Sequence, residues 1–240
     1  MLIILLIIAV LLYSFFNVLP VVKHNHVWGI LCLVIAVVCG AAIVAHDDYH
    51  YGMKTETTTK TYNLVSSGSK KMDMLLYQPL GNGKEKVYLY KTNASEKKPT
   101  ATKTEKFSTK QETTNGPTQL VVKEERYKYK NGWNRAMFAF LKGNNEIKHR
   151  TYTFKVNKKW AVLTVKQAQA MAKMMKSPQA QAKLKAQVTS QTKKTVMAAI
   201  QKDPRLAADP VKRADLTKKA AKQAQAQAMA QLIQQVKDKY

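Results

Sequence analysis

Apart from Lys23, the first forty-five residues carry no Lys, Arg, Asp or Glu, so every acidic side chain and all but one basic side chain lie downstream. That absence excludes a water-solvated N-terminal segment. Cysteine is confined to Cys32 and Cys39, inside the charge-poor stretch. No CxxC motif exists, which argues against a thiolate redox centre, and no disulfide framework is available to the rest of the chain. Residues 161–240 contain no Gly, Trp or Phe, and Tyr240 is their only aromatic residue. A helical region without Trp or Phe, and with an alanine-heavy apolar stripe, is expected to bury little surface. Arginine is scarce as well, with five residues among the 40 basic ones, and this weakens any case for base-specific nucleic-acid recognition.

What is present in the charge-poor stretch is apolar length. Leu2 to Val22 and Val27 to Ala45 are two apolar runs, each near the roughly 20 residues that cross a bilayer core of about 30 Å. Ser14 and Asn17 interrupt the first run, and Pro20 falls in its last turn. Lys23-His24-Asn25-His26 is all that separates the runs, so the two helices are expected to be antiparallel neighbours. Trp28 suits a membrane interface. Gly29, Gly40, Ala41 and Ala42 offer small surfaces for close helix contact. A cleaved signal peptide is disfavoured, because no basic n-region precedes Lys23 and a second run follows at once.

Two runs put both termini on one face, leaving the side of the basic domain to be argued. Lys23 in the tight loop favours that loop inside, whereas Lys54 and Lys60 beyond the second run argue the opposite. Long domains translocate largely regardless of charge, and a domain without cysteine suits an exposed setting. The expectation is a two-pass membrane protein with its large C-terminal part extracellular.

Beyond the membrane the pattern changes twice. Residues 46–58 read as a polar connector. From Thr59 to Trp160 short segments rich in Thr, Tyr, Val and Phe alternate with Gly, Asn and Pro. Strands are expected at 59–65, 72–77, 86–91, 119–122 and 126–130, with a hairpin turn at Gly81-Asn82-Gly83. Trp133–Leu141 and Lys148–Val156 read as a further hairpin. Ser95–Pro117 reads as loop, with one edge strand near Phe107. The expected core draws on Leu76, Val87, Leu89, Val121, Phe138, Phe140, Phe154 and Val156. After Trp160, Ala, Gln and Lys dominate, all good helix formers. Three helices are predicted, at 164–175, 178–200 and from Asp209-Pro210 to Lys237, the last two opened by cap-plus-proline signals. Their alanine-heavy stripe predicts loose packing.

The expected fold class is therefore a membrane α-hairpin plus α+β, a small antiparallel β domain followed by an Ala/Gln/Lys-rich helical tail. Its divisions are 1–45 for the hairpin, 46–58 for the connector, 59–160 for the β domain and 161–240 for the basic helical region.

The charge-free start, the β-rich segment carrying YQPLGNGKEKVYLYKT at Tyr77–Thr92, and the Ala/Gln/Lys tail together form a layout. It resembles that of uncharacterised two-span membrane proteins of lactic acid bacteria, a family known as a domain of unknown function. The resemblance implies a Gram-positive envelope setting and supplies no catalytic or binding residue.

Candidate chemistry is sparse. His46 and His50 stand at i, i+4 around Asp47 and Asp48, a spacing that can hold a metal. His24 and His26 occupy the opposite end of the hairpin and His149 stands alone, so interfacial polar roles are favoured over a metal site. Cys32 and Cys39 read as packing residues. Ser66-Ser67-Gly68-Ser69 is a turn without a basic partner, and no G-x-S-x-G occurs. Glu124 and Glu125 are adjacent on a strand, point to opposite faces and form no acid/base pair. Gly81-Asn82-Gly83-Lys84 lacks the rest of a phosphate loop. No catalytic, cofactor or metal site is expected.

The basic surplus is the remaining signal, a formal net charge of +25. In 161–240 it amounts to 16 basic residues against 4 Asp, spread round the helices. Arg126, Lys128 and Lys130 alternate with Tyr127 and Tyr129 on a strand and form one candidate polyanion contact. Lys183, Lys185, Lys193, Lys194, Lys218, Lys219 and Lys222 form the other. The expected partners are the bilayer, anionic envelope polymers or a membrane protein, with nucleic acid disfavoured. The expected function is that of a non-enzymatic, membrane-anchored envelope protein. Two alternatives are a cytoplasmic-facing basic module that binds nucleic acid or regulates a membrane partner, and an accessory subunit of a membrane complex.

Overall fold

The computed structural model describes residues 1–19, 24–68, 72–81, 83, 85–203 and 205–239. Pro20, Lys23, Ser69, Asn82, Lys84 and Tyr240, named above, lie outside the described residues. In chain order the elements begin with helices α1 (Leu2–Val18) and α2 (Asn25–Tyr49), then strands β1 (Met53–Asn63), β2 (Met74–Leu80), β3 (Glu85–Tyr90), β4 (Thr100–Ala101), β5 (Phe107–Thr114) and β6 (Gln119–Tyr129). They continue with α3 (Gly132–Phe138), β7 (Ile147–Asn157), β8 (Ala161–Thr164), α4 (Val165–Lys176), α5 (Pro178–Lys202), α6 (Arg205–Ala208) and α7 (Pro210–Lys239). The chain forms two compact units. One comprises Met1–Tyr62, Thr104–Gln111 and Leu120–Phe154; the other comprises Asn63–Lys103, Glu112–Gln119 and Lys155–Tyr240. These units do not divide at the composition boundary at Trp160: β8 follows that boundary directly, and both sides of it from Lys155 onward belong to the second unit.

In the first unit α1 and α2 pair along a seam of small residues. Gly29, Cys32 and Cys39 are buried and Ala36 and Ile43 half-buried, at alternating steps of three and four, and Cys39 and Ile43 pack with Leu2 and Leu6 of α1. Large apolar side chains point outward instead, among them Ile4, Ile7 and Leu11 on α1 and Ile30, Val34 and Val37 on α2. Small-inside, large-outside is the reverse of a helix pair in water. Of the small residues expected at the contact, Gly29 is buried and Gly40 and Ala42 half-buried, while Ala41 is exposed.

α2, with 25 residues, is long and apolar enough to cross a membrane. α1 has 17 residues and falls short of that length, while residues 20–22 of the first run lie outside the described residues. Its helix stops at Val18 because Leu19 turns extended, at φ −108° and ψ 119°. A residue that precedes proline is pushed out of the α region in this way.

The four-stranded sheet of order β1-β6-β7-β5 follows α2 after only three residues. Two expectations change here. The polar connector 46–58 splits between the last turn of α2 and the start of β1, since a Thr-rich exposed strand has no apolar alternation to betray it. The segment 133–141, expected as a strand, is the helix α3 with its following turn. Asn131 caps it by accepting a hydrogen bond from the Asn134 N–H at 2.8 Å, and this side-chain cap outweighs the turn signal of Asn-Gly. Phe138 is buried against Leu2 and Cys39, whereas Phe140, expected in the core, is exposed.

The second unit holds the sheet of order β4-β3-β2-β8 and helices α4 to α7. The expected β2–β3 hairpin is present, pairing Leu76 with Leu89 and Leu80 with Glu85. The sheet is not wholly antiparallel: β8 runs parallel to β2, with Leu163 opposite Leu76. Thr164 then caps α4 in a reciprocal capping box with Gln167. Met74, Leu163, Met171 and Val236 form the buried centre of this unit. Val236 lies near the end of α7, so the last turns of that helix contribute to a core, although α5 buries no residue at all. Along α7, Ala220, Ala224 and Ala228 make a buried stripe at four-residue spacing, and Gln187 of α5 donates to Gln231 of α7.

Candidate functional site

β1 and β6 lie side by side, and their alternate residues on one face line a cleft of about 330 Å³. Glu56, Thr58 and Lys60 come from β1, Glu124, Arg126 and Lys128 from β6, and Asn145 from the turn into β7. The period of two along a strand is what gathers them. A second hollow of about 500 Å³ shares Lys128 and Asn145 and adds Tyr129, Arg135 and Asn144. The groove thus runs from the middle of the sheet to α3.

Arg126 and Lys128 in it are held in place by carboxylates. Glu124 accepts hydrogen bonds from Arg126 Nε at 3.1 Å and Nη2 at 2.9 Å through Oε2, and from Arg150 Nε at 2.7 Å through Oε1. Arg126 Nη1 donates to the Asn145 carbonyl at 2.9 Å. Arg150 lies beneath, its side chain 5% exposed, 2.6 Å from Glu124. Partial burial works to raise the Glu124 pKa, but the hydrogen bonds and charges of Arg126 and Arg150 outweigh it and hold the carboxyl below its ordinary value. Lys128 pairs with Glu56 at 2.8 Å and lowers that carboxyl too. The result is a lattice in which Lys60, Arg126, Lys128 and Arg135 outnumber Glu56 and Glu124. Such a surface suits a polyanion that takes over a guanidinium or ammonium contact from Glu124 or Glu56.

Of the sequence-predicted strand contacts, Arg126 and Lys128 line the groove, and Lys130 follows at the exposed end of the same alternation. Glu124 was legible only as one of two opposed acids. It faces Arg126 and Arg150, while Glu125 pairs with Lys123 at 3.1 Å. Lys183, Lys185, Lys193 and Lys194 are exposed along α5, and Lys218, Lys219 and Lys222 along α7. These seven are distributed over two helices of the second unit.

The histidines have structural partners. His46 is buried, with Nδ1 2.7 Å from the Tyr51 carbonyl and Nε2 3.3 Å from the Lys142 carbonyl. His50 caps α2 in a left-handed conformation and stacks on Tyr127. No group of three His, Cys, Asp or Glu side chains among the described residues could hold a metal ion. One pairing has no signal in the sequence: Ser108 Oγ lies 3.0 Å from His149 Nε2, across neighbouring strands. Ser108 also reaches Thr151 Oγ1, and neither Ser108 nor His149 lines either hollow of the groove. It is a cross-strand polar contact.

Against protein families, residues 22–171 match the domain of unknown function DUF4811. The chain belongs to this family. The DUF4811 match takes in all of α2, every strand and most of α4, so the whole groove lies inside it, and the α5 and α7 lysines lie beyond it. No curated protein and no solved structure matches the chain.

Proposed function

We propose that this DUF4811 chain is a membrane-anchored, non-enzymatic envelope protein whose outward basic surface contacts anionic wall or lipid polymers. The observation that carries the reading is the short link between the apolar α2 and the charged groove. Three residues join α2 to β1, and Lys60 stands seven residues into that strand, about 23 Å along it at 3.3 Å per residue. A groove so close to a bilayer is within reach of headgroups and of polymers tethered to lipid. α1 completes a two-pass hairpin in this reading. Its 17 residues span about 26 Å, a shortfall that local bilayer thinning accommodates at modest cost. The outward-facing Ile, Leu and Val side chains of both helices favour lipid over water as their surroundings.

The chemistry is charge contact. Lysine and arginine meet phosphate without sequence readout, and their exposed charges are screened beyond about 8 Å at physiological ionic strength. The groove, rather than the α5 and α7 lysines alone, is the primary contact, because its charges are fixed by the Glu124 lattice. Binding of the detergent-solubilised chain to a synthetic polyphosphate ester, followed as salt is raised, tests this reading. Loss of binding on changing Arg126 and Lys128 to Gln supports it; undiminished binding contradicts it.

A further inference from the structure

α3 and its following turn carry two exposed aromatic side chains, Trp133 at 71% and Phe140 at 66%. Single exposed apolar residues are ordinary; the position of these two is not. The inner residues of the same segment, Met137, Phe138 and Leu141, pack against Leu2, Cys39 and Ile43 of the apolar hairpin. Phe138 stacks on His46 with ring centroids 4.1 Å apart, and the Tyr129 hydroxyl donates to the Phe138 carbonyl at 2.9 Å. Gly52 lets α3 approach: it has φ +80°, and a Cβ there would meet Phe138 at 3.0 Å and Asn134 at 3.1 Å. α3 is therefore clamped to the C-terminal half of α2. Cys39 precedes Tyr49, the last residue of α2, by ten residues, or about 15 Å at 1.5 Å per residue. Tyr49 and Tyr51 at that end are also exposed, at 82% and 65%.

We propose that α3 is a foot resting in the headgroup layer of the bilayer, with Trp133 and Phe140 inserted at the level where α2 emerges. This rests on the reading that α2 spans a membrane. Trp and Tyr favour that layer because one end of the ring is apolar and the other is polar. Arg135 and Lys142, both exposed and both in this segment, supply the charge that complements lipid phosphates. Trp133 and Phe140 belong to the same compact unit as the exposed apolar side chains of α1 and α2, and in this proposal one lipid environment covers them all. A foot of this kind fixes the tilt of the sheet above the membrane and brings Arg135, at the end of the groove, to the phosphate plane.

The test is tryptophan quenching in the full chain, reconstituted into phosphatidylcholine–phosphatidylglycerol vesicles that contain brominated phosphatidylcholine. The W28F/W160F chain reports Trp133 alone, and the W133F/W160F chain reports Trp28 in α2. Bromine near the headgroup end of the acyl chain is expected to quench Trp133 strongly, and bromine near the chain terminus to quench it little. Trp28 quenched with Trp133 unquenched overturns the foot and leaves the anchor standing. Neither quenched overturns both. If the double variants do not fold, the emission lost from the unaltered chain on W133F alone, with and without bromolipid, yields the same comparison.

Discussion

The His46 imidazole and the Phe138 ring lie stacked with centroids 4.1 Å apart and planes 6° from parallel, although 92 positions separate them in sequence. The contact joins the end of the apolar helix α2 to α3. His46 is 1% exposed and both of its ring nitrogens face backbone carbonyls, so the ring serves as a peg between α2, the turn at Tyr51 and the turn at Lys142. His46→Ala removes the stack and leaves the carbonyl that accepts the ring N–H without that donor. It is expected to cost about 2–4 kcal/mol, read as a lowered unfolding midpoint in detergent. His46→Phe, which keeps a ring, is expected to cost less.

The Glu124 lattice predicts a pH dependence of fixed sign. Glu124 has its folded-state pKa depressed below the ordinary 4.5, so its contribution is fully present above the unfolded value. It is lost as pH falls through the lower folded value. Glu124→Gln is expected to destabilise by about 1–3 kcal/mol at pH 7, between the figures for exposed and fully buried pairs. The difference between the two chains should shrink once pH drops below 4.5. A difference that stays constant from pH 7 to pH 3 contradicts the assignment.

Much of this architecture is legible in the sequence, and what is not has a common cause. The apolar run of α2, the Gly81–Gly83 hairpin, and the starts of α4, α5 and α7 are local signals, carried by Thr164, Pro178 and Pro210. The groove was half legible, because the alternation of Arg126 and Lys128 shows on one strand. Its other half is largely hidden: Lys60 falls in the strand expected at 59–65, but Glu56 and Thr58 lie in KTETT, which has the composition of a linker, and nothing local pairs either stretch with β6. β8 is four residues long and its parallel partner β2 lies far back in the chain, so no nearby turn announces it. α3 was missed because Asn131-Gly132 reads as a turn until the Asn131 side chain is seen to cap Asn134. The partners of His46 follow from that same miss.

Two sets of lysines can be separated by mutation. Changing Lys183, Lys185, Lys193 and Lys194 to Gln removes diffuse charge with little change in helix propensity, and polyanion binding should weaken in proportion to the charge removed. Changing Arg126 and Lys128 should weaken it more per residue, because those side chains are fixed by Glu124 and Glu56. Titration against salt checks both: a flat salt response in either set contradicts an electrostatic contact.

The central claim, a basic domain held outside the cell by an apolar hairpin, meets its most direct test at Ser95. This residue is exposed in the loop between β3 and β4, and its backbone N–H donates to Asn93 Oδ1, so Ser95→Cys leaves the turn intact. The native cysteines Cys32 and Cys39 are buried, and the unaltered chain supplies the background. In intact cells expressing the variant, a membrane-impermeant maleimide is expected to label Cys at this position to the same extent as it does after lysis. Labelling that appears only after lysis contradicts the account and places the domain in the cytoplasm.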